Sequence, residues 1–378
     1  MTNNTTRLDA VCDTYQGASL KSQACARRGE ALGRRTGVQP RYLYQRGWTE
    51  WQKFLKESHD KDDQFQFLSE HWRKVSSPYH KAELVLRNQP TNLTALSPCH
   101  QEEADTRMML YLHQAAEQRH PKAYLRTVDT DVVIVAICHF HELGLTELWV
   151  GFGSGKTFKE IPIHHICQQL GSQRCQALLF FHSYTGCDVT SAMFGTGKKT
   201  AWKAWANFSE VTETFIAITQ DPTSLKLDSL HTRRLERLTV LMYSKMCSAN
   251  SVNEARKLMF THGLKALECI PPTQQVLFQH TKRALLVAAF IWKQSLYRGP
   301  HIPNASELGW EWNGRTKAWM PYWTSLPDAS HGCTLLLHCG CSVACKGNWS
   351  ATELEFTVGH CASVNEVAQT MIWKPDQY

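Results

Sequence analysis

The sequence predicts an α/β fold: a mostly parallel central sheet layered between helices, followed by a helical C-terminal region. Three observations predict it. Residues 102–118 place Met108, Met109, Leu112 and Ala115 on one side of a helix. Two short continuous apolar runs, 132–137 and 148–152, have strand length and read as strands buried on both faces. Helix-length segments alternate with these runs, which argues for a parallel sheet covered on both sides. In such sheets, sites form at the carboxyl ends of strands.

Taken in order, residues 1–50 open with a polar tail. A basic, Ala-containing stretch from 19 to 32 reads as a helix that Gly33 ends. Residues 51–98 read as a helical and looped insertion, with aromatics such as Trp51, Phe54, Phe67 and Trp72 engaged in packing. Residues 99–225 form the core. After its first helix, residues 124–128 lead into a turn at Asp129. The strands 132–137 and 148–152 follow, then helices at 163–170 and 174–184. A Gly195-Thr196-Gly197 turn precedes a further helix. Residues 226–330 are helical and then Trp-rich. Pro271-Pro272 interrupts the helices, 284–292 is a buried helix, and 300–330 is irregular. Residues 331–378 are a Cys-rich tail.

The 378 residues suffice for two or three domains, and 43% hydrophobic content supplies an ordinary core. No run reaches the ~18 apolar residues that span a bilayer. The N-terminus is polar, without the apolar segment of a secretory signal. The expectation is an intracellular protein, not secreted, with no membrane partner. Fourteen cysteines then point to thiols or metal ligands rather than disulfides. The net charge of +7 is mild, but its distribution says more. Between Lys21 and Arg46 there are seven basic residues and one acid, Glu30; a surface of this kind attracts phosphates.

Three separate segments bring acids next to core elements. Glu102, Glu103 and Asp105 open the first core helix, where acids also complement the helix dipole. Asp129 and Asp131 adjoin the apolar run 132–137, and Asp188 follows another apolar segment in Thr185-Gly186-Cys187-Asp188. Acids packed close repel one another and rise in pKa unless a cation offsets them. If the sheet gathers them, they make an all-oxygen site suited to hard cations, Mg²⁺ or Mn²⁺. Two such ions ~3.5–4 Å apart are the arrangement that hydrolyses phosphodiesters.

These residues carry a resemblance. Glu103-Ala104-Asp105 resembles the Glu-Ala-Glu motif of flap endonucleases, and Asp129-Thr130-Asp131 resembles that family's Asp-x-Asp pair. Gly186-Cys187-Asp188 is similar to its Gly-x-Asp-Tyr motif, with Val189 at the tyrosine position. Residues 194–201, Phe-Gly-Thr-Gly-Lys-Lys-Thr-Ala, resemble its helix-two-turn-helix, which grips duplex backbone. Val11-Cys12-Asp13, with Lys21 and Arg28, is similar to its Phe-Asp-Gly strand end and basic gateway helix. The chain thus resembles the XPG-like, PIN-like nuclease superfamily. It is similar in particular to mobile-element-associated members in animal genomes.

The resemblance implies a three-layer PIN-like fold and a structure-selective DNA phosphodiesterase acting on flap or branched DNA in the nucleus. It implies a two-ion Mg²⁺ or Mn²⁺ site on Asp13, Glu103, Asp105, Asp129, Asp131 and Asp188. Lys21 and Arg28 would serve the scissile phosphate. Gly195, Gly197, Lys198 and Lys199 would hold the duplex. The family's opening strand and its aspartate have no counterpart ahead of Val11. The alternative expectation is therefore a non-catalytic nucleic-acid-binding or interaction module derived from such a nuclease.

Other signals are weaker. Gly155-Lys156-Thr157 ends like a phosphate loop, but Val150 stands where that loop needs glycine. Cys339, Cys341, Cys345 and Cys361 form a degenerate cluster that would hold structural Zn²⁺ if complete. His139, His141, His164 and His165 lack metal-ligand spacing and read as structural.

Overall fold

The computed structural model describes residues 7–14, 19–21, 96, 98–261 and 269–324. Nearly all of the 51–98 insertion, the basic helix beyond Lys21 and the Cys-rich tail lie outside the described residues. The chain divides into two compact units. The first runs to Gln176 and includes Phe290–Pro303 and Trp312–Met320; the second holds Ala177–Ala289, Asn304–Glu311 and the remainder.

The first unit is mixed α/β. Helix α1 (Ala104–Glu117) leads to strand β1 (Lys122–Thr127), helix α2 (Thr130–Leu143) and strand β2 (Glu147–Phe152). Strand β3 (Lys159–Pro162) and helix α3 (Ile163–Leu170) follow, and helix α4 (Ser172–Tyr184) begins here. The sheet order is β1-β2-β3. β1 and β2 pair in parallel from Lys122↔Glu147 to Thr127↔Phe152, while β3 runs antiparallel to β2. Among the described residues the sheet is therefore smaller than expected, with one parallel and one antiparallel pairing. α1 packs on α2, α2 on α3, and α3 on β2. Arg126 clamps the end of the parallel pair by donating to the carbonyls of Thr127 (2.7 Å), Gly151 (2.9 Å) and Gly153.

One expectation is corrected. Residues 132–137 are not a strand but the first half of α2. A short apolar run fits either element, and its flanks decide. Asp129 caps the helix, its side chain accepting from the Asp131 amide at 2.8 Å. Gly144, at φ 77°, ends it in the left-handed conformation that glycine adopts without strain. Val132, Val135, Ala136, His139 and Leu143 are buried at helical spacing. The strand lies one step earlier, at β1, in the segment expected to lead into the turn.

The segment 290–303 is tied to this unit by Gln101, whose side-chain amide donates to Ser295 O (2.8 Å) and Tyr297 O (2.7 Å). His139 is buried and held by the Trp292 carbonyl at 2.9 Å, as its structural reading expects.

The second unit is helical. The rest of α4 is followed by α5 (Lys198–Asn207), α6 (Val211–Gln220), α7 (Leu230–Tyr243), α8 (Val252–Thr261) and α9 (Gln274–Leu285). The last continues as a π-helix, Leu286–Trp292, where a buried helix was expected. Its core is aromatic. Phe180 stacks on Tyr184 at 5.5 Å, and Phe181 meets Trp205 at 4.8 Å. The segment expected to be irregular contains a short hairpin, β4 (Trp310–Asn313) and β5 (Ala318–Pro321). No helix among the described residues is long and apolar enough to cross a membrane.

Candidate metal centre

Asp129 and Asp131 stand where β1 ends and α2 begins. Thr127, the last residue of β1, supports this corner by accepting from the Asp129 amide at 3.0 Å. Asp131 is buried in the first turn of α2, and Asp129 is half-buried.

Glu103 and Asp105 come from the start of α1. Glu103 occupies the N-cap position, yet its side chain makes no capping hydrogen bond. The cap is supplied from far away in sequence: the Ala104 amide donates to Asp13 Oδ1 at 2.8 Å. Asp13 belongs to segment 7–14, which has no regular secondary structure, so Val11-Cys12-Asp13 ends no strand. That segment is fastened by the Thr14 amide donating to Glu102 O at 2.8 Å. Lys21 completes the group: its Nζ lies 2.5 Å from Asp13 Oδ1 and 3.5 Å from Glu102 O.

The electrostatics follow from this crowding. Burial pushes the Glu103 carboxyl up to about 7. Lys21 pulls against that shift, and Asp13, Asp131 and Glu102 add to it. Burial likewise pushes Asp105 up to about 8, reinforced by Asp129, Glu103 and Asp13 and opposed by Lys21. Both side chains are only half-buried by exposed area, so the neighbouring carboxylates carry weight alongside desolvation. Asp13 and Asp131 thus act on Glu103, and Asp129, Glu103 and Asp13 on Asp105. Carboxylates at the carboxyl end of a parallel strand are the donor type that hard divalent cations take, and here Lys21 sits among them. Among the described residues these carboxylates are not gathered to the spacing of ligands on one ion; a cation beside them would favour the ionised forms that burial disfavours.

The remaining expected residues are placed differently. Asp188 lies in the second unit, exposed in the loop after α4. That loop turns at Gly186, at φ 107°, where a Cβ would come within 3.0 Å of Ala192 backbone. Gly195, at φ 70°, makes the turn before α5, and Gly197 is the N-cap of that helix. Lys199 is exposed. Lys198 points inward: its ammonium donates to His182 O (3.0 Å), Thr185 Oγ1 (3.2 Å) and Gly186 O, so it closes the C-terminal end of α4. Arg28 and Cys339, Cys341, Cys345 and Cys361 lie outside the described residues.

Sequence reasoning missed the part played by Glu102. Its carbonyl receives Thr14 and Lys21, and its carboxylate accepts from the Ser19 hydroxyl at 2.6 Å. No periodicity signals such a partner more than eighty residues away; only the position before a helix start hinted at it. The chain matches none of the family models, curated proteins or solved structures with which it was compared.

Proposed function

We propose that the first unit is the core of a divalent-metal-dependent phosphodiesterase of the PIN-like, flap-endonuclease kind, acting on flap or branched DNA in the nucleus. The observation that supports this reading is the electrostatic influence of Asp13, Asp129 and Asp131 on Glu103 and Asp105 near the end of β1, with two carboxyls pushed to about 7 and about 8. Mg²⁺ or Mn²⁺ held by these residues would supply activation of water and neutralisation of phosphate charge. The chain's own groups divide the remaining work. Asp13 holds the start of α1 and positions Lys21 by the 2.5 Å ion pair. Lys21, and Arg28 by resemblance, stabilise charge on the scissile phosphate. Asp129 fixes the first turn of α2 and so orients Asp131. In the second unit, exposed Lys199 and the backbone around Gly195 and Gly197 offer contacts to duplex phosphates. Asp188 enters the metal set on the resemblance alone, as do the tail cysteines for Zn²⁺.

The test is cleavage of an end-labelled 5′-flap DNA by the full chain with Mg²⁺, with Mn²⁺ and with a chelator. Metal-dependent cutting is expected, falling to background in the Asp129→Ala/Asp131→Ala double variant. Cutting that survives both the chelator and the double substitution refutes the proposal.

One observation favours a second reading. The Lys21 ammonium already sits on Asp13, where it offsets part of the cluster's charge without a metal. That suits a non-catalytic nucleic-acid-binding module. It predicts DNA binding that weakens steeply with salt, with no product in any metal.

A further inference from the structure

A second donor set lies in the first unit, and its chemistry is the opposite of the first. His141 is in the last turn of α2, Cys167 is in the middle of α3, and Cys175 is in the first turns of α4. One ring nitrogen of His141 and the two Sγ atoms all lie within 4.8 Å of one another. We propose that His141, Cys167 and Cys175 form a Zn²⁺ site, with a water completing a tetrahedral shell.

The argument starts from the donors. Two thiolates and an imidazole select a soft or borderline ion, and tetrahedral Zn²⁺ is the common occupant of such sets. With Zn–S near ~2.3 Å and Zn–N near ~2.0 Å, ligand atoms around one ion stand roughly 3.5–3.8 Å apart. Three atoms already within 4.8 Å need to close by at most about 1.3 Å. The two sulfurs are buried, at 1% and 0% exposure, while His141 is exposed. The site therefore has a dry wall and a rim from which an ion enters. What holds the thiols now is weak: Cys167 Sγ donates to Ile137 O at 3.4 Å, and Cys175 Sγ to Cys167 O at 3.9 Å. Ligation replaces two poor hydrogen bonds with two strong bonds.

A Cys167–Cys175 disulfide would use the same two sulfurs. It gives no account of the imidazole that meets them, and it requires an oxidant. The zinc reading accounts for all three side chains. Its consequence is mechanical, because the ion would fasten the end of α2 to the α3–α4 corner, which turns at Gly171 (φ 76°).

The experiment uses the full chain, reduced, stripped with a chelator and titrated with Co²⁺ as a spectroscopic probe for zinc. Cys333, Cys339, Cys341, Cys345 and Cys361 are changed to serine, so that no tail thiol contributes to the signal. The expected result is a thiolate-to-cobalt absorption band with tetrahedral visible bands at one ion per chain, erased by one equivalent of Zn²⁺. The band should vanish in Cys167→Ser/Cys175→Ser. His141→Ala, at an exposed position that leaves the core intact, should keep the band and weaken binding at least tenfold. Zinc should also protect Cys167 and Cys175 from alkylation, read by peptide mapping. No thiolate band in the reduced chain, or one unchanged in the double cysteine variant, overturns the proposal. If that variant does not fold, unchanged affinity in His141→Ala does so. Flap cleavage plays no part in any readout, so failure here leaves the phosphodiesterase reading untouched.

Discussion

Two sets of ionisable groups, one in each compact unit, are treated in opposite ways. In the second unit three such groups have partners of matching need. Glu236, 2% exposed, accepts from the Val252 amide (3.0 Å) and the Gln274 side chain (2.7 Å). His280 lies 2.8 Å from the Tyr184 carbonyl and 3.3 Å from Ser191 Oγ. The Lys198 ammonium is spent on the end of α4. In the first unit, Glu103 and Asp105 are instead set among carboxylates. Charge matched within the fold serves the fold. Charge held against its like lowers stability, and a ligand can recover what is lost.

The sharpest way to break this comparison is to remove one matched charge. Glu236→Ala leaves a buried amide N–H and the Gln274 amide without their acceptor, and should cost about 3 kcal/mol in urea unfolding. The reverse sign is expected in the first unit. Glu103→Gln should stabilise the metal-free chain at pH 8 by about 2 kcal/mol, because the ionised carboxylate it replaces is disfavoured there. The same substitution should reduce stabilisation by added Mg²⁺. If Glu103→Gln destabilises, the crowded acids are a structural network and the contrast fails.

A smaller effect separates the units by pH. Glu103 and Asp105 have folded pKa values of about 7 and about 8, above their ordinary 4.5 and 3.8. Their contribution to stability is complete below about 4 and is lost as pH rises through 7 to 8. His280 is pushed down to about 4 from 6.5, chiefly by burial. Its contribution is present above 6.5 and is lost as pH falls toward 4. Hydrogen exchange on the metal-free chain should therefore show the first unit loosening between pH 6 and 8 and the second between pH 6 and 4. Saturating Mg²⁺ should flatten only the first response. The smallest effect is expected at Lys199. Lys199→Ala should weaken DNA binding roughly threefold and reduce the salt slope by about one, as for the loss of one phosphate contact.

Local signals explain what the sequence made legible. The helices at 163–170 and after Gly195-Thr196-Gly197 were readable because a glycine or proline bounds each and the apolar positions keep helical spacing. The position of the acids was legible, since Asp129 and Asp131 flank an apolar run, but their capping of a helix rather than a strand was not. The run 132–137 misled because six apolar residues carry no period of their own; only Asp129, His139, Leu143 and Gly144 show that the element is a helix. β3 was invisible, since Lys159-Glu160-Ile161-Pro162 is a strand only because β2 lies beside it. Asp13 capping Ala104, and His141 meeting Cys167 and Cys175, join residues far apart in the chain. No local pattern records such meetings.

The length of α2 has a consequence for how this chain tolerates change. Asp129 and Asp131 stand at one end of the helix and His141 at the other, across about 15 Å of rise. One inserted residue in between would rotate everything beyond it by about 100°, turning His141 away from both sulfurs while leaving the acids in place. Loops such as 185–197 absorb insertions by lengthening, but a helix that serves two ends cannot. Its register, more than the identity of any residue within it, is what a lineage carrying both sites would have to preserve.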